Sequence, residues 1–154
     1  MAASNSGSLI VSGSPDKLIK LWDPSNPSGP VQTLKGHTDG VRDLLVSSDG
    51  RLILSASSDK TVKLWTAAMP NRCVATYSHF EDSAWTLYSN SRDLSTFWVG
   101  CRDGWVMKLR QGASVDCLAI CKETAPVLKI AGINDSFVWT ATTQTDVKCW
   151  VINH

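Results

Sequence analysis

The stretch LILSASSDKTVKLW, residues 52–65, decides the fold. A short apolar run, a turn carrying Asp59, and an alternating segment ending in Trp65 describe a β-hairpin with one buried face. The same frame returns along the chain. SGSPDKLIKLW (12–22), SASSDKTVKLW (55–65), VGCRDGWVMKL (99–109) and TATTQTDVKCW (140–150) align on Trp22, Trp65, Leu109 and Trp150, which are 43, 44 and 41 residues apart. Asp16, Asp59 and Asp103 each sit six residues before their anchor, and the fourth unit has Gln144 there. A repeat of this period is one supersecondary unit that cannot bury its face alone, so its neighbours must stack on it. No helical periodicity competes with this reading.

Composition narrows the function. The chain has 154 residues, with 15 lysines and arginines against 14 acids, so its net charge of +1 gives no field to draw in nucleic acid or anionic lipid. No segment approaches the ~20 apolar residues of a membrane helix. The expectation is an intracellular protein, cytoplasmic or nuclear, with no nucleic-acid or membrane partner. Cys73, Cys101, Cys117, Cys121 and Cys149 lack paired CxxC spacing, and His37, His79 and His154 lie far apart, so neither a metal nor another cofactor is expected. Cys117 and Cys121 are read as buried thiols. The seven tryptophans are unusual for this length and call for a structural role, which the repeat supplies.

Turn signals at Ser48-Asp49-Gly50 and Ser58-Asp59-Lys60 divide the units into strands. They are expected near 9–14, 18–23 and 31–35; then 41–46, 51–57, 61–66 and 73–77; then 84–88, 95–101, 105–109 and 115–120; and finally 126–131, 136–142 and 146–151. Residues 1–8 read as a loop, so the first unit has no innermost strand. Pro24 to Pro30 read as a loop within it.

With Gly36-His37 about twenty residues ahead of Asp59, the second unit resembles a complete WD repeat, and the first keeps Trp22-Asp23. The resemblance implies an all-β fold: a partial WD-repeat β-propeller of about three and a half four-stranded blades, in one domain spanning 1–154. Its parts are an incomplete blade at 9–35, a complete blade at 36–78, a degenerate blade at 79–121 and an incomplete blade at 122–154. Such a chain does not close a ring by itself. It is expected to be a fragment or one half of a larger ring, weakly stable alone, with strand edges exposed. The resemblance further implies a structural tetrad of His37, Ser57, Asp59 and Trp65. Buried carboxylates need donors, and imidazole, hydroxyl and indole supply them. A His-Asp-Ser set also suggests a hydrolase triad, but recurrence of its parts in successive units argues for a structural role.

LKGHTDGVRDLL (34–45), RCVATYSHFEDSAWTL (72–87) and KETAPVLKI (122–130) carry a narrower likeness, to the WD-repeat cofactors that bind and activate ubiquitin-specific proteases. That likeness implies a noncatalytic scaffold with a deubiquitinase as partner and ubiquitin as a second candidate contact. The alternative is a general interaction platform or substrate adaptor in another complex. An enzyme is not expected, since no paired-carboxylate motif, metal cluster or phosphate-cradling loop is present.

Loops before each blade and between its second and third strands emerge on one face. Arg42, five residues after His37, and Trp85, six after His79, take matching positions there, and Arg102 precedes Asp103. All three are expected to converge as the partner-binding site, matching the positions through which the similar cofactors grip their protease. Trp and Arg are the types most enriched at hot spots. Trp98, Trp105 and Trp139 are read as packing residues.

Overall fold

The structure, a computed structural model, describes residues 1–68, 72–112, 116–134, 136–144 and 146–153. The described residues form strands and turns only. The first sheet comprises β1 (Ala2–Ala3), β2 (Ile10–Gly13), β3 (Ile19–Trp22) and β4 (Gln32–Leu34). The second comprises β5 (Val41–Val46), β6 (Leu52–Ser57), β7 (Val62–Thr66) and β8 (Cys73–Tyr77). The third comprises β9 (Ala84–Tyr88), β10 (Thr96–Cys101), β11 (Trp105–Arg110) and β12 (Asp116–Lys122). The fourth comprises β13 (Val127–Asn134), β14 (Phe137–Thr142) and β15 (Val147–Val151).

Each sheet is an antiparallel meander with strands in chain order, and the first strand of each packs on its predecessor's sheet: β5 on β2, β9 on β5 and β6, β13 on β9 and β10. The molecule is an open arc of a β-propeller with four blades.

Strand alternation gives every blade two faces, and register identifies them. On the rear face sit Ile10 and Trp22, Ile53 and Trp65, Phe97 and Leu109, Val138 and Trp150, each pair directly opposed. On the forward face sit Val11 and Leu21, Leu54 and Leu64, Trp98 and Lys108, Trp139 and Cys149. The hydrophobic core is three slabs, each built from one blade's forward face and the next blade's rear face. Val11, Ile19 and Leu21 meet Ile53 and Trp65. Leu54, Val62 and Leu64 meet Phe97 and Leu109. Trp98 and Val106 meet Val138, Ile130 and, from the edge, Trp150. The tryptophans that end three of the hairpins are rear-face residues, which accounts for their period.

Three expectations are corrected. The first unit does have an innermost strand: Ala2 and Ala3 pair with Val11 and Ile10. Of the cysteines, Cys101 is buried, Cys121 is half-buried, and Cys73, Cys117 and Cys149 are exposed. Cys117 and Cys121 lie on an outermost strand, β12, which has less to pack against. Burial pushes the Cys101 thiol up to about 12 and the Cys121 thiol up to about 11. Trp98 packs as expected, but Trp139 is 40% exposed. Val115, the expected start of the third blade's outer strand, and His154 lie outside the described residues.

Candidate partner-binding site

A loop-to-hairpin anchor holds the loop that enters each complete blade. In blade two the Trp65 indole Nε1 donates to Ser55 Oγ at 2.8 Å, Ser55 Oγ lies 2.6 Å from His37 Nε2, and His37 Nδ1 lies 2.7 Å from Asp59 Oδ2. One tautomer satisfies the whole chain: Ser55 donates to Nε2, and the Nδ1 proton goes to the carboxylate. Burial pushes His37 below its ordinary pKa, outweighing the opposing pull of Asp59, so the ring is neutral. Burial also works against ionised Asp59, but donors on Thr61, His37 and the Thr38 amide hold its carboxyl below the ordinary range.

The serine is therefore Ser55, where Ser57 was expected. Both face the same way, but Trp65 opposes Ile53, which makes Ser55 its diagonal neighbour and leaves Ser57 two residues farther along the strand. Ser57 instead donates to the Asp39 and Gly40 carbonyls and accepts from the Asp59 amide. Gly36 is needed beside this chain because a Cβ there would lie 2.9 Å from Trp65 Cη2.

The same diagonal recurs, since Trp22 Nε1 donates to Ser12 Oγ at 2.8 Å and Trp150 Nε1 to Thr140 Oγ1 at 2.9 Å. In blade four Glu123, four residues before β13 as His37 is before β5, takes the place of the imidazole. It accepts from Thr140, from Trp150 Nε1 at 3.1 Å and from Lys148 Nζ at 2.8 Å. Burial opposes its ionisation, yet these donors hold the carboxyl below its ordinary value. Gly104, with φ +91°, lets the Glu123 carbonyl come within 2.3 Å of where a Cβ would stand. In blade three the equivalent places hold Phe80, Val99 and Leu109, all buried, while His79 is exposed.

The entry loops so fixed place the second residue of each innermost strand: Arg42 on β5, Trp85 on β9 and Leu128 on β13. With Pro15 and Val41 they line a cavity of about 330 Å³ where the four blades converge. Arg42 Cζ lies 4.5 Å from the centre of the Trp85 ring, a stacked cation–π contact. Trp85 is half-buried, and Leu128 is 50% exposed.

Arg102 is placed differently. On the β10–β11 turn its guanidinium grips Asp82 with both ends, Nη2 to Oδ1 at 2.9 Å and Nε to Oδ2 at 3.1 Å. The Arg102 hydrogen bond lowers the Asp82 carboxyl. Two of the three expected residues are thus in direct contact, and the third is tied to the loop three residues ahead of Trp85. The sequence reading missed Pro15 and Leu128, whose only signal was equivalence with Asp16's turn and Arg42's strand position. It also missed the role of Trp105, over which Lys122 Nζ lies 4.6 Å from the ring centre.

Residues 1–23 and 28–66 match the family model described as "WD domain, G-beta repeat". The chain is also similar to the nuclear distribution protein PAC1 of Arthroderma otae, with 51% identity over 45 residues; these are 29% of this chain and 10% of that protein. It therefore spans about a tenth of that relative's length.

Proposed function

We propose that this chain, an arc of blades whose first two units carry WD-repeat sequence, is a noncatalytic scaffold that binds a ubiquitin-specific protease and raises its turnover. The coarser reading, a protein-interaction scaffold, is supported by the match to WD repeats over residues 1–23 and 28–66. The observation that carries the finer reading is the Arg42–Trp85 stack at the mouth of the shared cavity. A preformed stack has already fixed two large side chains, so less ordering entropy is lost when a partner covers them. Arg42 is exposed and carries a charge suited to an acidic group, and Trp85 with Leu128 offers apolar area beside it. Arg102 contributes either through the Asp82 grip, by fixing the loop ahead of Trp85, or through its outward-facing N–H groups. Activation requires that the scaffold contact one conformation of the protease better than another.

Binding of the chain to a panel of ubiquitin-specific proteases, with Trp85→Ala and Arg102→Ala variants checked for folding, tests the proposal. The expected outcome is saturable binding that Trp85→Ala weakens at least tenfold, the ~2 kcal/mol scale of a hot spot. Binding by the folded chain that ignores Trp85→Ala removes the site. No binding by the folded chain favours a platform in another complex, with ubiquitin alone as a further analyte.

A further inference from the structure

Arg42 and Trp85 stand outside the alternation of their own strands. Along β5, Val41 opposes Ser57 and Asp43 opposes Ala56, so Arg42 is the extra residue of a β-bulge. Along β9, Ala84 opposes Cys101 and Thr86 opposes Gly100, which makes Trp85 the extra residue there. β13 repeats the arrangement: Val127 opposes Thr142, Lys129 opposes Ala141, and Leu128 lies between. A bulge releases one residue from the ladder and re-aims its side chain. One local distortion, used three times, therefore delivers Arg42, Trp85 and Leu128 to the shared cavity.

Bulges aim side chains but do not fix one strand against another. β5 and β9 belong to separate sheets, and Arg42 stacks on Trp85 only at one offset between them. Asp43, next to Arg42, spans the gap. Its Oδ2 accepts from the Leu87 amide at 2.8 Å and from Thr86 Oγ1 at 3.3 Å, and its Oδ1 accepts from the Leu44 amide at 2.8 Å. The Leu44 bond holds the carboxylate on β5, and the other two fasten it to the two residues that follow Trp85. Thr86 and Leu87 are buried and Asp43 is half-buried, so water competes poorly for these donors. A carboxylate offers two acceptor oxygens, which lets one side chain serve both blades.

We propose that Asp43 is a positioning residue for the candidate partner site: it clamps β9 to β5 at the offset where the two bulges present Arg42 and Trp85 as one stacked unit. Its effect on a partner rests on the reading of that stack as a binding site; its effect on the stack does not. Without the clamp the two side chains keep their bulges but lose their common reference, and a partner must order them on binding. The clamp joins blades two and three, which have a blade on either side, so it is internal to the arc.

The nuclear magnetic resonance of the Arg42 side-chain Nε–H reads the stack, because the ring current of Trp85 displaces it. Arg42→Lys, which removes the resonance, assigns it, and Trp85→Ala gives its unstacked position. Asp43→Ala should move it most of the way to that position while the circular dichroism stays that of the parent. Asp43→Asn, which keeps an oxygen for the Leu87 amide, should restore it. Asp43→Glu, which keeps the charge on a side chain one methylene longer, should displace it partway, and decides the matter if Asp43→Ala does not fold. Affinity for any ubiquitin-specific protease that the parent binds should fall roughly fivefold with Asp43→Ala and recover with Asp43→Asn, as expected for lost preorganisation. A moved resonance where the parent binds no protease supports the clamp and removes only the protease reading. An unmoved resonance in folded Asp43→Ala, or in Asp43→Glu where that variant does not fold, overturns the inference. So does a lost stack that leaves the affinity of a protease-binding chain unchanged.

Discussion

Blades two and three solve one anchoring problem in opposite chemistry. The slot between entry loop and hairpin holds His37, Ser55 and Trp65 with Asp59 in blade two, and Phe80, Val99 and Leu109 in blade three. The apolar version works by filling space and excluding water, and each member contributes separately. The polar version works only as a set, because every buried donor and acceptor in it relies on the next. The same fold position can therefore be tolerant in one blade and brittle in its neighbour.

The sharpest way to break that comparison is His37→Phe, which puts blade three's residue into blade two without its surroundings. The His37 and Asp59 side chains are 0% and 4% exposed, so the substitution leaves a buried carboxylate and a serine without their imidazole. The expected loss is about 3 kcal/mol, at the upper end for removing a hydrogen bond to a buried charged group. Urea unfolding checks it. A loss under ~1 kcal/mol would mean that the slot needs only volume, as in blade three.

Much of this was legible in the sequence. The strand positions follow from alternation and turn residues, and the structure places most strand ends within one or two residues of them. The largest difference is β13, which runs on to Asn134 through a bulge between Gly132 and Asn134. What was not legible depended on register. Ser55 and Ser57 are equivalent by alternation, and only the diagonal reach of Trp65 separates them. Phe80 displaced His79 because the entry loop of blade three is one residue out of step with its hairpin. Arg42 and Trp85 could be matched because both lie on innermost strands, whereas the Arg102–Asp82 grip joins two loops whose approach no periodicity encodes. Glu123 was missed because a carboxylate in the place of an imidazole matches no motif.

Glu123→Gln sharpens the comparison from blade four, where a third chemistry fills the slot. The amide keeps the shape but replaces charge-assisted bonds from Lys148, Thr140 and Trp150 with weaker ones, and its NH₂ group faces donors on one side. The expected cost is about 2 kcal/mol, the scale of hydrogen bonds to a charged group. Differential scanning calorimetry reads it as a lowered Tm, and an unchanged Tm would reduce Glu123 to packing.

Acid should separate blades two and three without any mutation. Burial holds folded His37 below the ordinary 6.5, so on acidification the unfolded chain takes up that proton first. Stability tied to this group is complete above 6.5 and drains as pH falls toward the lower folded value. Asp59, held below its ordinary 3.8, adds a second loss as pH falls below that value. One proton limits the first slope to about 1.4 kcal/mol per pH unit. Urea midpoints between pH 7.5 and 5 should show the fall in the parent chain and lose this component in His37→Phe. The same slope in both would place its origin elsewhere.

The smallest effect is expected at Tyr77, where blade two meets blade three with the two chemistries mismatched. Its ring is 2% exposed and packs edge-on against Phe97, with centroids 5.2 Å apart and planes at 71°. Its hydroxyl is buried without a hydrogen-bond partner among the described residues, and burial raises its pKa. This is a polar group in an apolar slab, the condition that the His37 chain avoids by satisfying every member. Tyr77→Phe keeps the ring contact and removes the unsatisfied oxygen. It should raise the urea midpoint by the equivalent of roughly 0.5–1 kcal/mol, since an unpaired buried hydroxyl forfeits its hydration with no return. A fall in the midpoint would instead show that the hydroxyl has a partner, and that this slab too depends on a polar set.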